Sequence, residues 1–179
     1  TCRDWSSDVC SSDLLSMKIG VLSDTHLRTP DKNLDYILDV IFADTDMILH
    51  AGDIVTRSVL MRLEERGVLA VCGNMDDYDV YDMAPQTRII NCESKKIALI
   101  HGWGSKEGLA DRIIDRFAGD NPDIIIHGHS HVPFWGQVKG VALFNPGSTS
   151  RNAFPKGITV GVLEIFDGSV EASFIELDV

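Results

Sequence analysis

Five short polar clusters are the part of this sequence best suited to chemistry, because each directly follows an apolar, strand-like run. Their carboxylate, imidazole and amide groups are hard or borderline ligands that suit Mn²⁺, iron, Ni²⁺ or Zn²⁺. Ligands at the carboxyl ends of successive strands can converge on one rim of a sheet. The pattern therefore predicts a two-metal site of the kind used in metal-assisted hydrolysis. The clusters are Asp24-Thr25-His26, Gly52-Asp53, Gly73-Asn74-Met75-Asp76, His101-Gly102 and His127-Gly128-His129-Ser130-His131.

The histidine-rich cluster carries the strongest single signal. Three imidazoles at a period of two, those of His127, His129 and His131, would lie on one side of an extended segment, which favours metal binding. Asp24 and His26 have the same spacing and could share a metal in the same way. Alone, such a pair is more often a helix cap or a turn, so its interpretation depends on the other clusters.

The remaining clusters each have an ordinary structural explanation. Asp53 can use its two carboxylate oxygens to bridge two cations, and the Asn74 amide adds a ligand without adding charge. Either residue could equally occupy a tight turn. A single histidine at a strand end, such as His101, is more often a hydrogen-bonded core residue than a ligand. His50 is interpreted as a core residue because it lies within a strand.

Strand and helix patterns alternate along most of the chain and then give way to a strand-rich end. This order predicts an α/β fold, a four-layer α/β/β/α sandwich of two mixed β-sheets flanked by helices. Asp167-Gly168 between the last two strands predicts a hairpin. We expect strands over 18–22, 46–50, 68–71, 96–100, 124–126, 141–144, 158–166 and 170–177, and helices around 34–42, 57–66 and 106–117.

Length and composition narrow the class of protein. The 179 residues suit one domain, and the formal net charge of −11 makes long nucleic acid an unlikely main partner. The four cysteines form no CxxC pair, and no apolar run approaches the roughly 18 residues of a membrane span. We therefore expect a cytoplasmic protein that does not cross a membrane.

Residues 1–16 differ from the rest of the chain because they repeat a Ser-Ser-Asp pattern and lack apolar periodicity. They are interpreted as a non-native or disordered leader, with residues 17–179 forming the functional domain. A short native tail is the alternative.

Taken in order, the motifs DTH, GD, GNxD, an isolated His-Gly and GHSH resemble those of the calcineurin-like metallophosphoesterases, especially the small YfcE-type phosphodiesterases. The later turn Asn145-Pro146-Gly147-Ser148 also matches that group. The resemblance covers nearly everything from Met17 to Val179. It implies that one metal is held by Asp24, His26 and His131, that the other is held by Asn74, His101 and His129, and that Asp53 bridges them.

The resemblance further implies hydrolysis of a small phosphodiester or phosphoester by a hydroxide that bridges two divalent ions, with Mn²⁺ favoured over Ni²⁺, Fe²⁺ or Zn²⁺. Asp53, Asn74 and His101 would then be the catalytic residues. Many superfamily members have a histidine directly after the Asn, but Met75 stands there in this chain and cannot deliver a proton. His127 falls outside the GHxH pattern and is expected to lie in the core or to support a ligand.

Two other functions remain open at this point. One is a non-catalytic scaffold module of the same fold, although this chain retains all seven ligand positions. The other is a nuclease, but the nuclease relatives are usually longer and carry DNA-contacting additions. The sequence leaves the physiological substrate, the native metal and homo-oligomerisation undetermined.

Overall fold

The computed structural model describes residues 16–92, 94–150 and 157–177. The predicted leader, apart from Ser16, lies outside the described residues. The strands are β1 Met17–Leu22, β2 Met47–His50, β3 Leu69–Ala70, β4 Thr87–Cys92, β5 Lys95–Ile100, β6 Ile124–Ile126, β7 Phe134–Val138, β8 Val141–Asn145, β9 Ile158–Phe166 and β10 Ser169–Leu177. The helices are α1 Lys32–Tyr36, which continues as a π-helical turn over Ile37–Ile41, α2 Arg57–Glu65, α3 Tyr78–Met83 and α4 Leu109–Arg116.

The strands form two mixed sheets of five strands each. The first sheet has the order β10-β9-β1-β2-β3, and β1, β2 and β3 run parallel. The second has the order β4-β5-β6-β8-β7, and β5, β6 and β8 run parallel. Antiparallel strands lie at the edges: β9 and β10 complete the first sheet, while β4 and β7 flank the second. The parallel strands bring their carboxyl ends to one edge of each sheet.

Alternating apolar residues on the strands build three layers of core. Ile19 and Val21 point from β1 into the space between the sheets, where they join Ile97 and Leu99 of β5. The opposite face of the first sheet packs on the first three helices through residues that include Leu34, Leu38, Val59, Leu63 and Val80. Helix α4 covers the outer face of the second sheet with Leu109, Ile113 and Phe117. The predicted α/β/β/α sandwich is therefore confirmed.

The chain contains three elements that the sequence pattern did not predict: α3, β4 and β7. Helix α3 buries only Val80, so it has no apolar period to detect. Strand β4 is an edge strand with a mostly polar or half-exposed sequence. In β7, a proline precedes the strand and Gly136 interrupts it, and both residues weaken a strand signal.

Two of the predicted helices also differ from the structure in extent or form. The third predicted helix begins at Leu109, because Gly108 adopts a left-handed conformation with φ of 68°. Helix α1 is short and widens into a π-helical turn, in which Phe42 N–H donates to Ile37 O at 2.9 Å. The hairpin prediction is confirmed, since Asp167 and Gly168 both have positive φ angles, as a type I′ turn requires. Within the described part of the chain, no helix is long and apolar enough to cross a membrane.

Candidate metal centre

The five polar clusters meet where the carboxyl ends of the parallel strands of both sheets come together. Asp24 follows β1, Asp53 follows β2 and Asn74 follows β3 in the first sheet. His101 follows β5, and the histidine-rich loop follows β6 in the second sheet. The two edges are joined directly, because Thr149 N–H donates to Ser23 O at 3.0 Å. The topology thus places residues from distant parts of the sequence around one point.

Five of the seven predicted ligand residues have a left-handed backbone. Their φ angles lie between 49° and 67°, a region that costs free energy for any residue with a Cβ atom. Such conformations persist where the surrounding structure imposes them, and they cluster at functional sites. The extended segments expected for Asp24/His26 and for the histidine run are therefore wrong, although the structure does bring these ligands together. The five are Asp24, His26, Asp53, His129 and His131.

Asp24 is fully buried, and its two carboxylate oxygens have different surroundings. Oδ2 accepts hydrogen bonds from Ser23 Oγ at 2.6 Å and from His129 N–H at 3.2 Å. Oδ1 has no hydrogen-bond partner. It faces the Nε2 atoms of three histidines, those of His131 at 3.1 Å, His26 at 3.8 Å and His101 at 3.9 Å. The carboxylate is thus oriented to offer one oxygen to a cation.

Asp53 is also buried and is held in the same manner. Its Oδ1 accepts a hydrogen bond from Met75 N–H at 2.8 Å. Its Oδ2 lies 3.3 Å from His101 Nε2 and 3.6 Å from His26 Nε2. Because these two histidines belong to different predicted metal sites, Oδ2 lies where a bridging oxygen would be needed.

Both carboxylates are ionised at neutral pH. Burial raises the pKa of each, but the surrounding donors outweigh it, and both pKa values fall below their ordinary value. For Asp53 the opposing groups are chiefly His101 and the Met75 amide. For Asp24 they are chiefly His131, His101 and Ser23. The site therefore holds two negative charges in a water-poor environment, a strong attraction for cations.

His101 has a defined tautomer because of its contact with the main chain. Its Nδ1 lies 2.7 Å from Ala51 O, which can only accept, so Nδ1 carries the proton. In the neutral ring Nε2 then has a lone pair, and this atom is buried without a hydrogen-bond partner. Burial lowers the pKa of the ring, but the Asp53 and Asp24 carboxylates raise it above its ordinary value overall. This is the chemistry of a ring that binds either a proton or a metal ion.

Asn74 and His129 form the other side of the centre and contact each other. The side-chain oxygen Oδ1 of Asn74 lies 2.9 Å from His129 Nδ1. His129 Nε2 donates to Gly104 O at 2.7 Å, so Nδ1 is left with the lone pair in the neutral ring. The rings of His129 and His101 meet edge to face at 5.3 Å between centroids. A lone pair and an amide oxygen thus face the same point beside His101.

Two overlapping groups of acidic and imidazole residues could each hold a metal ion among the residues that the structure describes. Their ligand atoms lie within 4.8 Å of one another. One group is Asp24, His26 and His131, the set implied for the first metal. The other is Asp24, Asp53 and His101, which shares Asp24 and contains part of the set implied for the second metal.

His50 and His127 both form hydrogen bonds with groups other than the predicted ligand side chains. His50 is buried, accepts from Gly52 N–H at 3.1 Å through Nδ1, and donates to Thr25 Oγ1 at 3.2 Å. The predicted core role of His50 is confirmed. His127 is buried as well, and its Nδ1 lies 3.1 Å from Gly128 O. Burial lowers the pKa of His50 to about 3 and that of His127 to about 4, so both rings are neutral at pH 7.

Sequence reasoning missed the residues that shape the loops around the ligands. Asp76 accepts from Val55 N–H at 2.6 Å and from Gly73 N–H at 2.7 Å, which ties the loop after β3 to the loop after β2. Burial raises the pKa of its carboxyl. The sequence marked Asp76 only as the last residue of the GNxD motif. The motif does not show that its carboxylate binds the backbone of two loops.

The Asn145-Pro146-Gly147-Ser148 turn also supports the ligand loops. Asn145 Nδ2 donates to Gly128 O and to Ser130 Oγ, both at 2.9 Å. Ser148 Oγ donates to Asp24 O at 3.0 Å. One turn after β8 therefore fixes the backbone on both sides of the centre.

A two-sheet sandwich does not by itself fix a function, so the class of this protein rests on its similarity to known proteins together with the carboxylates and imidazoles at its strand ends. The sequence profile of the calcineurin-like phosphoesterase superfamily domain matches residues 17–168. The chain belongs to this superfamily, as its motifs predicted.

Individual relatives agree with this assignment. The chain is 36% identical over 135 residues to a probable metallophosphoesterase of Methanothermobacter thermautotrophicus, covering 74% of this chain and 77% of the relative. It is 26% identical over 171 residues to a phosphodiesterase of Methanocaldococcus jannaschii, covering 83% and 93%. A crystal structure of a predicted phosphoesterase from Streptococcus pneumoniae superposes with a TM-score of 0.72 at 25% identity, covering 90% of each chain.

Proposed function

We propose that this protein is a phosphodiesterase that depends on two divalent metal ions. The observation that carries the proposal is the pair of unsatisfied buried atoms, Asp24 Oδ1 and His101 Nε2. Leaving a buried polar atom without a partner costs about 1–3 kcal/mol, so such atoms call for an explanation. Cations among the converging ligand atoms would satisfy both.

The donor set fits two ions. Asp24, His26 and His131 would hold one of them, and Asn74, His101 and His129 would hold the other. Asp53 would bridge, because its Oδ2 lies near both His26 and His101. Two such ions would supply a hydroxide nucleophile near neutral pH and positive charge opposite the phosphate oxygens.

The chain's own groups prepare this centre in two ways. Ser23 and the His129 amide bind one oxygen of Asp24, and the Met75 amide binds one oxygen of Asp53, so each carboxylate keeps its orientation without help from substrate. The protonated Nδ1 of His101 is held by Ala51 O, which directs Nε2 inward. Such outer hydrogen bonds orient the ligands that contact a metal.

The residue that directly follows Asn74 cannot protonate a leaving group. Met75 is exposed and carries a thioether. His50 and His127 are buried and hydrogen-bonded within the protein, which excludes them as donors to a bound substrate in this conformation. We therefore expect a preference for phosphoesters with good leaving groups.

The finer parts of the proposal concern substrate, metal and location. We propose a small phosphodiester or phosphoester as substrate and Mn²⁺ as the working metal, in the cytoplasm. The net charge of −11 argues against long nucleic acid and hence against the nuclease alternative. The complete ligand set favours catalysis over a scaffold role.

The test is metal removal and reconstitution. The protein is stripped with EDTA, reloaded separately with Mn²⁺, Ni²⁺ or Zn²⁺, and assayed on bis(4-nitrophenyl) phosphate, cyclic nucleotides and 4-nitrophenyl phosphate. We expect hydrolysis only after reloading, with about two equivalents of metal per chain by mass spectrometry. Hydrolysis that survives stripping, or no hydrolysis with any metal, would overturn the proposal.

A further inference from the structure

A cleft of about 360 Å³ opens beside the Asn74 and His101 side of the candidate metal centre. Its size lies within the roughly 300–1,000 Å³ typical of small-molecule sites. Gly73, Asn74 and His101 belong to both the cleft and the centre. A molecule bound over the centre could therefore extend into the cleft without leaving it.

Two aromatic side chains line this cleft and remain partly exposed. Tyr81 projects from α3 with 43% of its surface exposed, and Trp103 follows His101 with 42% exposed. Exposed aromatic faces are the surfaces on which planar rings stack. The cleft thus offers ring-binding walls that the metal centre itself does not use.

The loop that carries Trp103 is held in place. Arg112 donates to Trp103 O through Nε at 3.0 Å and through Nη2 at 2.8 Å. These bonds tie Trp103, which lies two residues after His101, to α4. The following residue is held too, because Gly104 O accepts from His129 Nε2 at 2.7 Å. The backbone of Trp103 is therefore positioned before any ligand binds, which reduces the entropy cost of ordering this loop on binding.

Arg116 adds a positive charge to the same cleft. It lies in the last turn of α4, and its guanidinium packs 5.6 Å from the centroid of the Phe117 ring. Within the described ranges, it forms no ion pair with a carboxylate. In contrast, Arg62 on α2 is bound by Asp35 and Asp39. A guanidinium in this setting is available for an anionic group, and its planar fork suits phosphate.

We propose that this cleft is a subsite for a nucleotide-like ester group of the substrate. A planar ring would lie against Tyr81 and Trp103, and a further phosphate on that group would bind Arg116. This inference rests on the proposed phosphodiesterase function and names its substrate class: a phosphodiester with one ester group that carries both a ring and a second phosphate.

The test uses three substrates with the same leaving group. They are the 4-nitrophenyl phosphate diesters of methanol, of thymidine through its 5′ oxygen, and of thymidine that also bears a 3′-phosphate. We expect kcat/KM to rise about tenfold with the nucleoside and about tenfold again with the 3′-phosphate. Equal values for all three diesters would overturn the proposal.

Matched variants assign each gain to its side chain. Arg116→Gln should abolish the gain from the 3′-phosphate, whereas Arg57→Gln, on the exposed start of α2, should preserve it. Tyr81→Leu should reduce the gain from the nucleoside, whereas Tyr78→Leu should not, since Tyr78 lies on the same helix but does not line the cleft. If Arg116→Gln and Tyr81→Leu both keep the wild-type ratios of kcat/KM among the three diesters, the proposed subsite does not exist.

A binding measurement separates this inference from the proposed catalysis. Equilibrium dialysis of thymidine 3′,5′-bisphosphate is performed on metal-free protein in EDTA. Binding that is about tenfold weaker in Arg116→Gln, and unchanged in Arg57→Gln, would support the subsite even if no diester were hydrolysed. Equal binding by wild type and Arg116→Gln would contradict it even if the enzyme were active.

Discussion

Oδ2 of Asp53 lies 3.3 Å from Nε2 of His101, and this buried ring nitrogen has no hydrogen-bond partner. The opposite nitrogen of the ring is already committed to Ala51 O. A carboxylate oxygen and an imidazole lone pair repel each other at this distance unless a proton or a cation joins them. The relationship makes Asp53 the most informative residue to change.

Replacing Asp53 by Asn is expected to lower kcat/KM by about 100-fold or more, because it removes the bridging anion. The control variant His127→Gln should lower kcat/KM by less than about tenfold. Mass spectrometry of the purified variants should show loss of metal only in Asp53→Asn. If His127→Gln lost a full equivalent of metal while His131→Gln did not, the assignment of the histidine run would be wrong.

Gly73→Ala is expected to damage the centre through a steric clash. An added Cβ would lie 2.3 Å from Asp53 Oδ1 and 2.4 Å from Asp53 N, so the carboxylate must move. We expect at least a tenfold loss of kcat/KM, roughly the effect of a disturbed outer contact to a metal ligand. Gly119→Ala is the control, because its added Cβ meets nothing within 4 Å and should leave activity and metal content unchanged.

The stability of the metal-free protein should fall in acid partly because of His50. The pKa of its buried ring is about 3 in the folded state against 6.5 for an ordinary histidine, so below about pH 6.5 the unfolded chain binds a proton that the folded chain does not. Stability is therefore fully present above pH 6.5 and is lost as the pH falls toward 3, by about 1.4 kcal/mol per unit from this residue.

His50→Gln isolates that contribution, since glutamine does not titrate. Urea unfolding in EDTA between about pH 7.5 and 5.5 should show the wild type more stable at the upper end by about 1–3 kcal/mol, with the difference shrinking as the pH falls. A difference that stays constant across this range would show that His50 does not resist protonation in the folded protein.

Because Met75 cannot donate a proton, the hydrolysis rate should depend strongly on the leaving group. General acid catalysis is worth roughly 10²–10⁴-fold, and without it poor leaving groups suffer most. Rates for a series of aryl phosphodiesters should fall steeply as the pKa of the leaving phenol rises, and Met75→His should flatten that slope if the new imidazole reaches the leaving oxygen. A wild-type rate insensitive to this pKa, with chemistry rate-limiting, would reveal another donor.

Much of the fold could be predicted from local patterns. The strands over 18–22 and 158–166 are mostly buried and are apolar except at Lys18, Thr159 and Glu164, and such runs are visible in the sequence alone. The Asp167-Gly168 turn also has a strong local signature. Helix α3 and strands β4 and β7 were missed because neighbouring elements stabilise them, and their own sequences lack a clear apolar period.

The sequence by itself determined the chemical character of this protein: the types of ligand, their places after apolar strands and the superfamily. Only the tertiary structure decided how they meet. His129 N–H reaches Asp24 Oδ2 across 105 positions of sequence, and the left-handed backbone of both residues replaces the extended geometry that their spacing suggested. Such strain is stable only where long-range hydrogen bonds impose it, so no local pattern could have predicted it.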